Sequence, residues 1–141
     1  MPDHEPTLDS DTGFLLARAG GRAIRALNRA LEPFGLRSRH YTVLMAAAER
    51  GGLSQRELGE LLGIDPSAVV SLVDDLQRAD LVRRDPHPED RRTRLVVLTE
   101  TGVKAFRQAS DLGAKVEDEV LAPLDAGERD TLRDLLRRVA R

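Results

Sequence analysis

The sequence predicts a mainly α-helical domain with a small β wing, a helix-turn-helix lobe flanked by one helix before it and two after it. Three observations predict it. Apolar residues return every three or four positions along most of the chain, the period of helices with one buried face. Two such segments meet at Gly63, and Asp65-Pro66 opens the second at once, so they are joined by a short turn. After Asp80 the period changes to that of strands, in two short runs on either side of a Pro-rich turn. A chain of 141 residues is one ordinary domain, or one subunit of a small oligomer.

Residues 1–11 hold Pro2, Pro6 and four acids and read as a flexible N-terminal tail. From residue 13 to about 32, Leu16, Ala19, Ala23, Leu27, Ala30 and Leu31 share one side of a first helix. Arg18, Arg22, Arg25 and Arg29 share the other, and Pro33 and Gly35 close it. Ser38 is an N-cap for a second helix, which runs through Tyr41, Leu44 and Met45 to Gly51-Gly52. Ser54-Gln55-Arg56-Glu57 is a capping box, in which the two outer side chains satisfy each other's free backbone donors. Leu58, Leu61 and Leu62 follow, and Gly63 supplies the left-handed residue that ends the third helix.

The fourth helix takes Asp65 as N-cap and Pro66 in its first turn. Val69, Leu72, Val73 and Leu76 form its buried stripe. Ser67, Ser71, Asp74 and Arg78 lie opposite, flanked by Ala68, Val70 and Asp75. Leu81–Asp85 and Thr93–Leu98 are the strands of a hairpin that turns through Pro86-His87-Pro88-Glu89-Asp90. A hairpin directly after a helix-turn-helix is a wing. A helix over residues 100–121, about 30 Å long, presents Ala105, Ala109, Leu112, Val116 and Val120 on one face and breaks at Pro123. Asp125-Ala126-Gly127-Glu128 is a second capping box, with Asp in place of Ser. It opens a last helix striped by Leu132, Leu135, Leu136 and Val139.

Composition removes whole classes of function. Cysteine is absent, so disulfides, thiolate zinc sites, iron–sulfur clusters, a cysteine nucleophile and thiol redox sensing are excluded. Phe14, Phe34, Tyr41 and Phe106 are the only aromatic residues, too few for a platform that stacks single-stranded nucleic acid. No apolar run reaches the roughly 18 residues of a membrane span. The start, MPDHEPTLDSD, lacks the basic and apolar regions of a secretory signal, so the expected location is the cytoplasm, with no membrane partner. His4, His40 and His87 are scattered without ligand spacing, so no metal site is expected. There is no nucleophile with a base at useful spacing and no Gly-rich phosphate loop. Glu89 with Asp90 is a paired carboxylate placed in a hairpin tip beside two arginines. Neither an enzyme nor a cofactor is expected.

The net charge is −2, which does not favour nucleic acid, but the charges are segregated. Phe14 to Tyr41 holds six Arg and one Glu, and Arg83 to Arg94 holds five Arg against three acids. Acids gather at residues 1–11 and from Asp111 onward. Local charge, not the total, sets the field that a duplex meets.

The segment LSQRELGELLGIDPSAVVSLVDDLQRADLVRRDPHPEDRRTRLVVLTETG resembles the MarR family of winged helix-turn-helix transcription regulators. The strongest marks are Asp90-Arg91-Arg92 in the wing, matching Asp-x-Arg, and Leu98-Thr99 followed by Gly102, matching Leu-Thr-x-x-Gly. With the flanking helices the likeness spans roughly residues 12–140. Four residues at three sites depart from it. Val70-Ser71 stands where the family often has Thr-Arg, Asp75 where a basic residue is common, and Asp80 where Gly is usual.

The resemblance implies a single domain over 12–141, with 36–98 as the DNA-binding lobe and 12–35 with 99–141 as the dimerisation region. It implies a homodimer on palindromic double-stranded DNA, most often as a repressor. The expected DNA surface comprises Ser38, Arg39, Ser54 and Gln55, then Ser67, Ala68, Ser71 and Arg78 on the fourth helix, and Arg84, Asp90, Arg91, Arg92 and Arg94 on the wing. Short hydroxyl side chains such as Ser67 and Ser71 reach base edges or phosphates in a major groove. By resemblance, Arg92 enters the minor groove, Asp90 orients it, and Arg91 and Arg94 contact the backbone. The plainer alternatives are a polar helix face and an Asp–Arg pair that stiffens the hairpin. Asp74 and Asp75 would repel phosphates unless paired; Asp74 is expected to pair with a wing or neighbouring Arg.

Leu16, Leu132, Leu135, Leu136 and Val139 are the expected dimer interface, because the lobe is too small to cover their stripes. Relatives in the family bind small, often aromatic or anionic ligands between the dimerisation helices and the lobe. Arg18, Arg22, His40 and Tyr41 would line such a pocket; the alternative is a core Tyr41 with the others solvated. A winged-helix module that binds protein without reading DNA is the competing function, favoured by the acidic fourth helix.

Overall fold

The computed structural model of the chain describes residues 5–141. Among them run α1 (Thr12–Leu31), α2 (Ser38–Arg50), β1 (Leu53–Ser54), α3 (Gln55–Leu62), α4 (Pro66–Arg78), β2 (Val82–Pro86), β3 (Arg94–Leu98), α5 (Glu100–Val120) and α6 (Ala126–Val139), with a 3-10 turn at Glu32–Phe34. Residues 1–4 of the expected tail lie outside the described residues. From Thr7 to Asp11 the segment makes local hydrogen bonds of its own. The Thr7 and Ser10 hydroxyls meet at 3.0 Å, and the Asp11 carboxylate accepts the Phe14 N–H at 2.7 Å, capping α1.

Ser38 is not the N-cap of α2. Arg37 holds that position, and its N–H donates to His40 Nδ1 at 3.0 Å. The Ser38 N–H, one of the free donors of the first turn, is taken instead by Asn28 Oδ1 at 2.7 Å, which ties α2 to α1. Only half of the expected Ser54 capping box forms: Ser54 Oγ accepts the Glu57 N–H at 3.1 Å, but the Glu57 carboxylate accepts from the Ser54 hydroxyl at 3.2 Å and not from its backbone N–H. The box at Asp125 and Glu128 forms in full, at 2.8 and 3.0 Å. Asp65 occupies the N-cap of α4, but its side chain caps nothing.

The wing strands pair antiparallel, Val82 opposite Leu98 and Pro86 opposite Arg94. A strand that the periodicity does not announce completes the sheet. β1 is two residues long and adds to the free edge of β3, Leu53 opposite Val96, giving the order β1-β3-β2. Two residues carry no alternation, so only the partner strand reveals it.

The core lies under the helix-turn-helix. Leu44, Leu58, Val69, Val73, Leu76 and Val96 are completely buried. Removing such a leucine side chain to Ala costs about 2–5 kcal/mol. Gly102 makes the join between wing and α5. A Cβ there would lie 1.9 Å from the Leu81 carbonyl oxygen, so the close approach of two backbones demands glycine. Thr99 completes the join: its hydroxyl donates to the Asp80 carbonyl at 2.6 Å and accepts the Gly102 N–H at 2.9 Å.

Outside the lobe, α5 runs back along α1 and α2. The helix α6 buries none of its residues, and Leu135, Leu136 and Val139 are exposed. Leu15, Leu16 and Ile24 on α1 are exposed as well.

Candidate nucleic-acid interface

α4 exposes Ser67, Val70, Ser71 and Asp74 on the side away from the core. Because Asp65 does not cap α4, its first backbone donors are not taken by that side chain. The cleft between α3 and α4 holds about 530 Å³ and is lined by Gln55, Arg56, Ile64, Pro66 and Val70, among others. Val70 was no more than a flanking residue in the sequence. Its exposure next to two serines gives α4 an apolar contact for a thymine methyl beside two hydroxyls.

Both acids of α4 are paired within the chain. Asp74 Oδ1 accepts from Arg84 at 2.7 Å. The same guanidinium donates to Gln55 Oε1 at 3.0 and 2.8 Å and to Gln77 Oε1. Arg84 and Gln55 were both expected at DNA; the structure brings them to each other, joining β2, α3 and α4. Asp75 takes His40 Nε2 at 2.9 Å on one oxygen and Arg78 on the other. Hydrogen bonds from His40 and then from Arg78 hold the Asp75 carboxyl below its ordinary 3.8. Since His40 Nδ1 accepts the Arg37 N–H, Nε2 carries the proton and donates it to Asp75.

The wing tip is organised by Asp90. Oδ1 accepts the Arg92 N–H at 3.0 Å and Oδ2 the Thr93 hydroxyl at 2.8 Å. These two bonds, the backbone one first, hold the Asp90 carboxyl below its usual value. Asp90 therefore fixes the Arg92 backbone, while no Asp90–Arg92 side-chain ion pair forms among the described residues. Arg91, Arg92 and Arg94 are exposed and carry no ion pair among those residues, and neither does exposed Arg39.

The other expected residues divide. Ser54 is buried and its hydroxyl is engaged with Glu57; Ser38 is half-buried; Ala68 is half-buried on α4; Arg78 turns to Asp75. The four ligand candidates do not share one pocket. His40 is buried against Asp75. Tyr41 stacks on Phe106 with ring centroids 6.1 Å apart and lines a cavity of about 480 Å³ between α1, α2, α5 and α6. Arg22 lines a separate cavity of about 310 Å³ with Arg25 and Arg29. Arg18 is exposed on α1. Leu132 and Leu136 of the expected interface line the Tyr41 cavity.

Among the described residues no helix is long and apolar enough to cross a membrane, and no cluster of three or more metal-ligating side chains forms.

A helix-turn-helix braced by a three-stranded sheet, with an arginine-tipped hairpin beside the second helix, defines a winged helix protein. Residues 34–93 match the family model described as MarR family. CouR from Rhodococcus jostii RHA1, solved bound to p-coumaroyl-CoA, is 37% identical, with a TM-score of 0.87 over 96% of this chain and 96% of that one. A cysteine-to-serine mutant of MarR from E. coli, solved with operator DNA, is 28% identical, with a TM-score of 0.83 over 96% of this chain and 99% of that one. The HTH-type transcriptional regulator PecS of Dickeya dadantii is 30% identical over 140 residues, 97% of this chain and 82% of the relative. The chain belongs to the MarR family of transcriptional regulators.

Proposed function

We propose that the chain is a cytoplasmic repressor that binds a palindromic operator as a homodimer and is released by a small molecule. Residues 36–98 form the DNA-binding lobe, and 12–35 with 99–141 form the dimerisation region. The observation that carries the reading is the disposition of charge. The acids of α4 are paired to Arg84, His40 and Arg78, while Arg91, Arg92 and Arg94 on the wing keep their charge free. A duplex approaching this face meets hydroxyls, Val70 and unpaired guanidiniums. Affinity then comes from phosphate neutralisation, and discrimination from Ser67, Val70 and Ser71 in the major groove with Arg92 in the minor groove.

Two relatives support the parts of this reading, one solved with operator DNA and one with p-coumaroyl-CoA. Exposed leucines on α1 and α6 support the dimer. A protein-binding module without DNA recognition was favoured by an acidic α4, and the pairing of Asp74 and Asp75 removes that support. In this reading the chain performs no catalysis.

The test is fluorescence anisotropy with duplex DNA from beside the chain's own gene, at two salt concentrations. Salt-sensitive, sequence-dependent binding is expected, weakened in Arg92→Ala and less selective in Ser71→Ala and Val70→Ala. Absence of salt-sensitive binding to any duplex overturns the reading.

A further inference from the structure

His87 stands at the foot of the wing tip, between Pro86 and Pro88. Its backbone N–H donates to the Thr93 carbonyl at 3.1 Å, one step beyond Pro86 opposite Arg94. A second bond holds the ring: Nδ1 accepts the Glu89 N–H at 3.0 Å. An accepting Nδ1 carries no proton, so in the neutral ring the proton lies on Nε2. His40 has the same tautomer and gives its Nε2–H to Asp75. His87 Nε2 has no hydrogen-bond partner among the described residues. The residue is half-buried, and among those residues no buried side-chain nitrogen or oxygen lacks a partner, so Nε2 is open to solvent.

His87 is therefore a donor of fixed tautomer that lacks an acceptor. It lies in the part of the chain where Arg91, Arg92 and Arg94 are exposed and carry no ion pair among the described residues. Such surroundings select an anionic acceptor. The apex of the hairpin is the part that enters a groove. His87 sits below it, beside Arg94, where the wall of the groove is sugar and phosphate. A side chain already held in place also loses less freedom on binding than a free one.

We propose that His87 Nε2–H donates to a phosphate oxygen of the bound duplex, as an uncharged member of the wing contact. This rests on the reading of the chain as a DNA-binding regulator and adds a residue to its wing. A neutral donor displaces no counterion. His87 then contributes affinity without salt dependence and without sequence preference.

Fluorescence anisotropy over a series of salt concentrations, at about pH 8, tests this with the full chain. The duplexes are the one from beside the chain's own gene and an unrelated one. Wild type is compared with His87→Ala, His87→Asn and His87→Gln. The Gln amide nitrogen stands closest to the place of Nε2, and the Asn amide oxygen closest to that of Nδ1. His87→Ala and His87→Asn should weaken binding roughly three- to tenfold, equally on both duplexes and with the salt slope unchanged. His87→Gln should keep most of the affinity. Arg91→Ala is the comparator, expected to reduce the slope by about 0.9. Thermal melting checks that each variant is folded. A His87→Gln variant that binds no better than His87→Asn overturns the proposal, because the ring then only shapes the turn at Glu89 or does nothing. A loss confined to one duplex overturns it in favour of a base contact, and a reduced slope in His87→Ala overturns it in favour of a charged one. If wild type binds DNA and the His87 series is level, this inference alone falls; if no duplex binds wild type, the regulator reading falls.

Discussion

At the scale of single residues, Arg84 is held by partners within the chain, and its proposed role in DNA binding is indirect. Its guanidinium spans Gln55, Gln77 and Asp74, and it neutralises an acid on the helix proposed to enter the groove. Arg84→Ala is expected to weaken operator binding by leaving Asp74 unpaired before the phosphates. Asp74→Ala added to it should restore most of the loss, as measured by anisotropy over the double-mutant cycle. Full additivity would rule the pairing out as the cause. Asp75 makes the corresponding prediction in acid. Its carboxyl is held below 3.8 by His40 and Arg78, so its contribution is complete above that value and is lost as pH falls through the lowered one. The difference in urea stability between wild type and Asp75→Asn should stay level from pH 7 to about 4 and shrink below that. A difference that disappears already between pH 7 and 5 would contradict the assignment. The anomalous Asp80 is explained by its backbone, with φ of 60° in the left-handed region. Glycine suits that conformation, and Asp, like Asn, tolerates it better than most side chains do. The sequence showed that Asp80 was unusual, but only the backbone shows why glycine is the common choice.

At the scale of elements, legibility followed length and capping. α1, α3, α4, α5 and α6 were readable because each has a periodic stripe and a chemical start or stop. β1 was not, being defined by its partner. The site was half legible. The wing arginines and the α4 serines follow from exposure on a known face. The fate of Arg84, Gln55 and His40 does not, because Arg84 and Gln55 claim each other across 29 positions and Asp75 claims His40 across 35. No local pattern encodes such a partner. The helix α6 carries this scale's prediction. Leu135 and Leu136 are exposed in the single chain, so replacing them is expected to leave the fold intact while removing the proposed interface. Leu135→Glu with Leu136→Glu should give a folded monomer by sedimentation and circular dichroism, with operator affinity lowered at least roughly tenfold. A dimer that survives the double change would place the interface elsewhere.

At the scale of the whole molecule, the two lobes of the proposed dimer demand two half-sites in register. Half-sites of a two-fold operator lie about one helical turn apart, or a multiple of it. Inserting five base pairs at the centre of the operator should therefore turn one half-site to the far face of the duplex and reduce affinity to that of a single lobe. Inserting ten should recover part of it. Anisotropy with the three duplexes measures this, and indifference to the insertion would argue for independent lobes. The net charge of −2 belongs to this scale too. It hides the cationic wing behind the acids of the N-terminus and the last two helices, so total charge was the least informative number in the sequence.

His40 and Tyr41 are neighbours in the chain and point about 100° apart on α2. One holds the helix proposed to read DNA; the other lines the cavity where the family resemblance implies a ligand. A ligand that rolls α2 away from the operator-bound position changes both contacts in one motion. Thermodynamic reciprocity then fixes the exchange. Whatever factor the ligand removes from operator affinity, the operator removes from ligand affinity. A small molecule that releases the protein as proposed will therefore register as a weaker binder on the protein–DNA complex than on the free protein, by the factor that measures its power as an inducer.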